Sequence, residues 1–315
     1  MPDPSEPQGN KPVKAVKLDS GEGLTAIFVP EAGMIGVSLM RDGNEMLGQR
    51  GGLENYIEKG KTMGLPILFP WANRLNGPGY NFAGKEVKVE DSMTGIRRDA
   101  NGLPIHGSLA AFPGWSVVEA ASDSGLEVAS LRATLDFGAH PELLASFPFP
   151  HRLDLDFTLR DTTLTVTTTV TATGDLPVPL AYGFHPYLAL PGIDRSEWKV
   201  ELPAMDSLEL DGRGIPTGRS SAAKARKFKL EGLSLDDGFA GLKTGAAFRV
   251  SGGDHKATVR FESGYPAAQV FAPAGEQVIC FEPMKAPSNA LVSGDGLDSI
   301  EPGGSDTSVF SITIA

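Results

Sequence analysis

The chain has 315 residues, with 28 Lys and Arg against 39 Asp and Glu, which gives a formal net charge of −11. A surface of that sign repels a phosphate backbone, so the composition argues against a nucleic-acid partner. Its single cysteine, Cys280, excludes an internal disulfide framework and a multi-cysteine zinc site, and we expect it to be a small buried residue.

The amino terminus, residues 1–13, is polar and rich in proline, without the apolar run of a secretory signal. We expect it to be a flexible tail that precedes one domain over residues 14–315. No stretch approaches the roughly 20 apolar residues that cross a bilayer, so we expect no membrane segment and a cytoplasmic location. The sequence leaves open whether the chain is a monomer or a homodimer.

The commonest local pattern is an alternation of apolar and polar residues. In residues 152–160 it places Leu153, Leu155, Phe157 and Leu159 on one side, as in a half-buried strand. Residues 164–173 follow after a short turn and complete a predicted hairpin. Further strands are predicted, from their β-branched and aromatic residues, at residues 24–29, 126–134, 257–262, 268–271, 277–281 and 309–314.

Helical periodicity is rare, and short helices are predicted only near residues 53–59 and 141–145. The 38 Gly and 24 Pro supply many turns and mark no obvious linker. These patterns predict an all-β fold, a large antiparallel β-sandwich whose outer faces carry Thr, Asp, Lys and Arg. Residues 211–225, rich in Gly, Ser and Lys, are predicted to form an exposed loop.

Four candidate site residues interrupt apolar or glycine-rich surroundings in the first two thirds of the chain. Residues 64–77 deliver Asn73 and Arg74 beside a turn, and the donors of Arg74 suit hydroxyls or a carboxylate. His106 and His185 each adjoin Gly or Pro, and the proline after His185 favours an extended conformation at a strand end or bend. Taken alone, each of these residues fits a surface or packing role better than a catalytic one.

Two further candidate positions precede Glu282 in the last third. Asp236 and Asp237 precede Gly238, a pattern that also makes common turns. Gln269 lies in a strand predicted to form a hairpin with residues 277–281, where it faces either the site or solvent.

Glu282 follows the apolar residues 277–281 and precedes Pro283, which cannot donate to a sheet ladder. We therefore expect Glu282 to lie where regular pairing ends. Burial would raise its pKa from the reference of about 4.3 toward neutrality, which suits a catalytic base. The alternative is a structural carboxylate that pairs with an arginine or caps backbone amides.

The chain lacks the sequence motifs of several common catalytic mechanisms. It contains no Gly-Lys-Ser/Thr phosphate loop and no Gly-x-Ser-x-Gly nucleophile elbow. Neither His106 nor His185 has a ligand-type neighbour at close spacing, so no metal site is predicted.

Taken in order, these segments resemble the aldose 1-epimerase (galactose mutarotase) family. The similarity runs from about Leu24 to the C-terminus. Its motifs are PWANRL at residues 70–75, IHG at 105–107, GFHPY at 183–187, LDDGF at 235–239 and CFEPM at 280–284. The resemblance implies a β-supersandwich with a sugar cleft, and a cofactor-free interconversion of the α and β anomers of a free hexose such as glucose or galactose.

The resemblance also implies roles for the candidate residues. Glu282 is expected to take the proton of the C1 hydroxyl, and His185 to protonate the ring oxygen so that the ring opens. His106 is expected to be a second donor to the ring oxygen or a nearby hydroxyl. The expected hydroxyl-binding residues are Asn73, Arg74, Asp236 and Gln269. Asp236 is favoured over Asp237 because it lies three residues before Phe239.

One departure leaves the substrate open. Lys285 stands where the family commonly has a threonine, and a cation near the cleft could favour an anionic sugar. The nearest alternative is a hexose-6-phosphate mutarotase, with Arg97, Arg98 and Lys285 as candidate phosphate ligands. A non-catalytic sugar-binding module and a metal-dependent sugar enzyme are further alternatives, since a fold does not determine a function.

Overall fold

The computed structural model describes residues 14–121 and 128–315. The predicted tail at residues 1–13, and the first two residues of the strand predicted at 126–134, lie outside the described residues. No helix in the described ranges is long and apolar enough to cross a membrane.

The described residues form mainly short and medium strands that pair antiparallel. In chain order the strands are β1 (Val16–Asp19), β2 (Leu24–Val29), β3 (Ile35–Arg41), β4 (Asn44–Glu45), β5 (Ile67–Leu68), β6 (Gly79–Phe82), β7 (Lys85–Lys88), β8 (Arg97–Arg98), β9 (Pro104–Ile105), β10 (Ser116–Ala121), β11 (Ala129–Asp136), β12 (His151–Arg160), β13 (Thr163–Ala172), β14 (Val178–Leu180), β15 (Gly183–Phe184), β16 (Tyr187–Leu188), β17 (Lys199–Leu202), β18 (Met205–Leu210), β19 (Pro216–Ala223), β20 (Arg226–Lys229), β21 (Leu235–Ala240), β22 (Ala246–Gly252), β23 (His255–Ser263), β24 (Ala267–Ala272), β25 (Ile279–Met284), β26 (Asp298–Ile300) and β27 (Ser305–Ile314).

Helices are few and short. The α-helices are α1 (Gly52–Lys59), α2 (Pro141–Leu144) and α3 (Ala290–Ser293), and single 3₁₀ turns cover Pro30–Ala32, Phe137–Ala139 and Arg195–Glu197.

Two large sheets make the sandwich. One has nine strands in the order β10-β11-β12-β13-β27-β23-β22-β17-β20. The other has eight, in the order β19-β18-β21-β24-β25-β15-β5, with β16 also paired to β25. Aromatic rings join them across the core: Phe184 lies 5.0 Å from Phe310, and Phe248 lies 5.5 Å from Phe281, centroid to centroid. The predicted all-β supersandwich is therefore the fold of this chain.

Alternating patterns located most of the strands correctly. The hairpin predicted from residues 152–160 and 164–173 is β12–β13, and Leu153, Leu155, Phe157 and Leu159 are all buried in the core. Cross-strand threonine pairs such as Thr169 with Thr307, 3.0 Å apart, cover the outer face of this sheet. The helices predicted near residues 53–59 and 141–145 are α1 and α2, and both are confirmed.

Two local predictions were wrong. Residues 211–225 are not a loop, because β19 occupies Pro216–Ala223 as an exposed edge strand paired with β18. Pairing also does not end at Glu282, because β25 continues through Pro283 and Met284, which pair with Ala268 and Ala267. The missing donor of Pro283 interrupts the ladder without ending the strand.

Candidate active site

The hairpin of β24 and β25 carries two of the predicted site residues. The two strands form the predicted hairpin, and Gln269 and Glu282 are register partners in it. Because successive side chains alternate, Phe281 points into the core between the sheets and Glu282 points to the opposite face. Glu282 and Gln269 are nevertheless both buried, under the segments that cover this face.

His185 lies in the break between β15 and β16, two short strands that pair with the other edge of β25. The register pairs Tyr187 with Cys280, so His185 comes to lie beside Glu282. The distance from His185 Nε2 to Glu282 Oε1 is 3.3 Å, and the two side chains are 5% and 2% exposed. Cys280 is buried on the same strand, as predicted.

Burial acts on this pair in opposite directions, because it penalises the charged form of each group. Burial, assisted by the nearby Asp236 carboxylate, holds the pKa of Glu282 well above its usual range. Burial and the neighbouring His106 hold the pKa of His185 well below its usual range. Burial therefore favours a neutral carboxyl beside a neutral imidazole over a carboxylate beside an imidazolium.

Each member of the pair keeps one polar atom unpartnered. Among the described residues, Glu282 Oε2 and His185 Nδ1 are buried and contact no donor or acceptor. Buried polar atoms are normally hydrogen-bonded, so such atoms at a cleft are available to a ligand.

Further residues that the sequence analysis did not select hold His185. Its ring stacks on Tyr187 at 4.3 Å, and the Tyr187 hydroxyl lies 3.2 Å from His185 Nε2. That hydroxyl also lies 2.6 Å from Thr62 Oγ1 and accepts a hydrogen bond of 3.1 Å from Arg50. The spacing of two between His185 and Tyr187 in an extended segment is a signal that could have identified Tyr187. Nothing in the sequence marks Thr62 or Arg50.

His106 is placed across the cleft from His185, with ring centroids 5.5 Å apart. Its Nδ1 accepts a hydrogen bond of 3.2 Å from the Asn73 backbone, and its own backbone N–H donates to the Asn73 carbonyl at 2.9 Å. Burial and the Arg74 charge lower the pKa of His106 to about 3, so the ring is neutral with its proton on Nε2. His106 is therefore a hydrogen-bond donor at this site. Both His106 and Asn73 have positive φ, at 64° and 58°, in the left-handed region that asparagine and histidine adopt more readily than most other non-glycine residues.

A second polar group lies on the Asp236 side of the site. Arg74 donates to Asp99 at 2.8 Å, to the Asn73 side chain at 3.1 Å and to Asp236 at 3.4 Å. Gln269 donates to the other oxygen of Asp236 at 2.6 Å. The structure thus brings Asn73, Arg74, Asp236 and Gln269 together around the two histidines and Glu282.

Strand register separates the two adjacent aspartates. Asp236 and Gly238 of β21 face the same way as Gln269, the register partner of Gly238, whereas Asp237 points to the core side. Burial raises the pKa of Asp237, in keeping with that position.

Lys285 is not where the sequence analysis placed it. Its Nζ lies 2.9 Å from Asp306 and 3.4 Å from Ser308, both on β27 of the opposite sheet. It therefore forms a buried ion pair between the sheets. The expectation of a cation at Lys285 near the sugar cleft is wrong.

Within residues 14–121 and 128–315, no three His, Cys, Asp or Glu side chains gather in a way that would hold a metal ion. The arrangement instead offers a proton-sharing pair, a neutral histidine donor and a guanidinium–carboxylate–amide group suited to hydroxyls.

Comparisons with known proteins agree with this fold. A galactose mutarotase-like protein from Clostridium acetobutylicum superimposes with a TM-score of 0.82 at 21% identity, covering 96% of this chain and 95% of its own. Galactose 1-epimerase from Lactobacillus acidophilus NCFM superimposes with a TM-score of 0.75 at 16% identity, covering 98% and 96%. In sequence, the uncharacterized protein YihR of Escherichia coli (strain K12) is 25% identical over 247 residues, covering 75% of this chain and 74% of YihR.

The family model described as aldose 1-epimerase matches residues 14–313, which is nearly the whole chain. This match confirms the resemblance found in the sequence motifs, and it covers every candidate residue of the site. The chain belongs to the aldose 1-epimerase family.

Proposed function

We propose that this protein is a cofactor-independent mutarotase, which interconverts the α and β anomers of a monosaccharide through Glu282 and His185. One observation carries the proposal. A buried carboxyl and a buried imidazole lie 3.3 Å apart, each with a free polar atom, at the centre of a set of hydroxyl-binding groups.

The reaction starts from the charged form of the pair. The Glu282 carboxylate takes the proton of the C1 hydroxyl while the bond from C1 to the ring oxygen breaks, and the His185 imidazolium gives its proton to that oxygen. The product is the open-chain aldehyde. Rotation about the C1–C2 bond and reversal of both proton transfers close the ring on the other face of C1. Glu282 therefore gains and returns one proton, and His185 gives and recovers another, with no net change in the enzyme.

The shifted pKa values favour the opening step. Ring opening converts a carboxylate and an imidazolium into a neutral carboxyl and a neutral imidazole, which is the form that burial favours for Glu282 and His185. His106 supports the same step as a neutral donor near the ring oxygen. Arg74, Asp236 and Gln269 bind hydroxyls and hold the sugar in place.

Glu282→Gln tests the proposal. Glutamine keeps the shape of the side chain but cannot take the proton, so we expect the catalysed rate to fall by about 10²- to 10⁴-fold with little change in folding or sugar binding. The measurement is the optical rotation of freshly dissolved α-D-glucose and α-D-galactose, with wild-type protein, with the variant and with buffer alone. Full activity in the variant would rule out Glu282 as the base. Sugar binding by the wild type without any acceleration would instead favour a binding module.

A further inference from the structure

A cavity of about 250 Å³ opens beside His106. Every charged side chain among the described residues that line it is a cation, namely Lys59, Lys61, Arg97 and Arg98. We call this cavity the cationic pocket. Its composition is unusual in a chain with 39 acidic and 28 basic residues. By contrast, two other cavities, one lined by Glu86 and Lys88 and one by Glu201 and Arg249, carry both signs of charge.

Local structure does not account for all of these cations. Lys59 occupies the last turn of α1, where a cation offsets the negative end of the helix dipole. Arg98 is paired with Asp91. Arg97, in contrast, lies in β8, and within the described residues its side chain donates one hydrogen bond, to the Ile96 carbonyl at 3.2 Å.

The chain makes room for Arg97 at the pocket. A Cβ atom on Gly60 would lie 2.1 Å from Arg97 Nε, so a larger residue at position 60 would displace the Arg97 side chain from this position. Gly60 also has a φ of 63°, which favours glycine. The segments around residues 60 and 97 therefore approach each other closely, and Gly60 and Arg97 both line the cavity.

The cationic pocket adjoins one side of the candidate active site. His106 lines it directly, and Thr62, which also lines it, contacts the Tyr187 hydroxyl that lies beside His185. The described residues that line the cationic pocket do not include Glu282 or Asp236. The pocket therefore borders the histidine side of the site and not the side of the base.

The bonding of a pyranose relates these two sides. The ring oxygen is bonded to C1 and to C5, and C5 carries C6. With the C1 hydroxyl at Glu282 and the ring oxygen at His185, the path from C1 through the ring oxygen to C6 leads away from Glu282, past the histidines. In this orientation the substituent on C6 lies on the histidine side of the sugar, which is the side that the cationic pocket borders.

Building on the proposed mutarotase function, we propose that the cationic pocket binds an anionic group on C6 of the substrate. A phosphate, a sulfonate or a carboxylate at C6 presents oxygens that the fork of Arg97 and the ammonium of Lys61 can bind in charge-assisted hydrogen bonds. The pocket thereby selects C6-anionic hexoses over neutral glucose and galactose. The overall charge of −11 opposes such a substrate at long range, so selection depends on these contacts.

The test compares anomer exchange by NMR exchange spectroscopy for glucose, glucose 6-phosphate, glucuronate and 6-deoxy-6-sulfoglucose. We expect wild-type kcat/KM to be at least about tenfold higher for one C6-anionic sugar than for glucose. In Arg97→Gln, which removes the charge and keeps donors, kcat/KM for that sugar should fall by about 10- to 100-fold, while kcat/KM for glucose changes less than about twofold. The order among the three anions shows which group the pocket fits.

Arg132→Gln is the matched control, because it removes an exposed arginine on β11 that is paired with Asp156, and it should change neither activity. Equal kcat/KM for glucose and for all three anions would overturn the pocket's role and leave the mutarotase proposal standing. The same conclusion follows if Arg97→Gln lowers kcat/KM equally for all sugars. Absence of exchange with every sugar would overturn both proposals.

Discussion

At the scale of single residues, the site depends on how burial and nearby charges set the pKa of Glu282. Burial raises that pKa most, the nearby negative charge of Asp236 raises it further, and Arg74 lowers it. The same residues are positioned to bind hydroxyls. Binding and proton affinity are therefore linked, and a change at either residue should appear in the pH profile as well as in KM.

Asp236→Asn should show this linkage. Removal of the negative charge lowers the pKa of Glu282, so the reactive carboxylate persists to lower pH and the acid limb of the kcat/KM profile moves to lower pH. KM should rise as well, because the hydrogen bonds from Arg74 and Gln269 no longer orient a carboxylate. The measurement is anomer exchange between pH 4 and 8. Asp237→Asn is the control, since Asp237 faces the core side, and an equal shift in both variants would contradict the assignment.

At the scale of elements, sequence patterns predicted strands where burial is one-sided. β12 and β13 alternate cleanly because one face packs in the core and the other is wet. β19 was missed because neither of its faces is deeply buried, so its Gly and Ser residues are typical of a loop. The continuation of β25 beyond Glu282 was missed because a proline normally marks the end of regular pairing.

The ion pair of Lys285 with Asp306 joins the end of β25 to β27 across the sandwich. Lys285→Met keeps the length and apolar stem of the side chain but leaves the partly buried Asp306 without its cation. We expect the free energy of unfolding to fall by about 1 to 3 kcal/mol. Urea denaturation measures this loss. Activity per folded molecule should not change with neutral or anionic sugars, and an altered sugar preference would show that Lys285 does reach the substrate.

At the scale of the whole molecule, the site is assembled from segments that are far apart in the chain. Motifs marked Glu282 and His185 as candidates, but only the pairing of β15 and β16 with β25 places them in contact. The cationic pocket is likewise assembled from residues that only the fold brings together. Lys61 and Arg97 are separated by a turn and several short strands, and no local pattern relates them.

Acid stability should depend on a histidine outside the site. His151 is fully buried among the rings of Phe69, Phe137 and Phe147, and burial lowers its pKa from 6.5 to about 4. Between pH 6.5 and 4 the unfolded chain binds a proton at His151 that the folded protein does not, so the free energy of unfolding decreases as the pH falls through this range. Above pH 6.5 His151 is neutral in both states and causes no loss. The loss attributable to His151 is about 3 kcal/mol.

His151→Phe removes this titration while keeping an aromatic ring. At pH 7 the variant should be less stable by about 1 kcal/mol, because the Phe149 carbonyl loses the hydrogen bond from His151 Nδ1. Between pH 6.5 and 4 its free energy of unfolding should then fall less steeply with pH than that of the wild type. The difference in slope should correspond to close to one proton taken up on unfolding. Phe137→Leu, which loosens the same cluster and keeps His151, should lower stability at every pH and preserve the slope. Equal slopes in wild type and His151→Phe would mean that His151 is protonated in the folded protein.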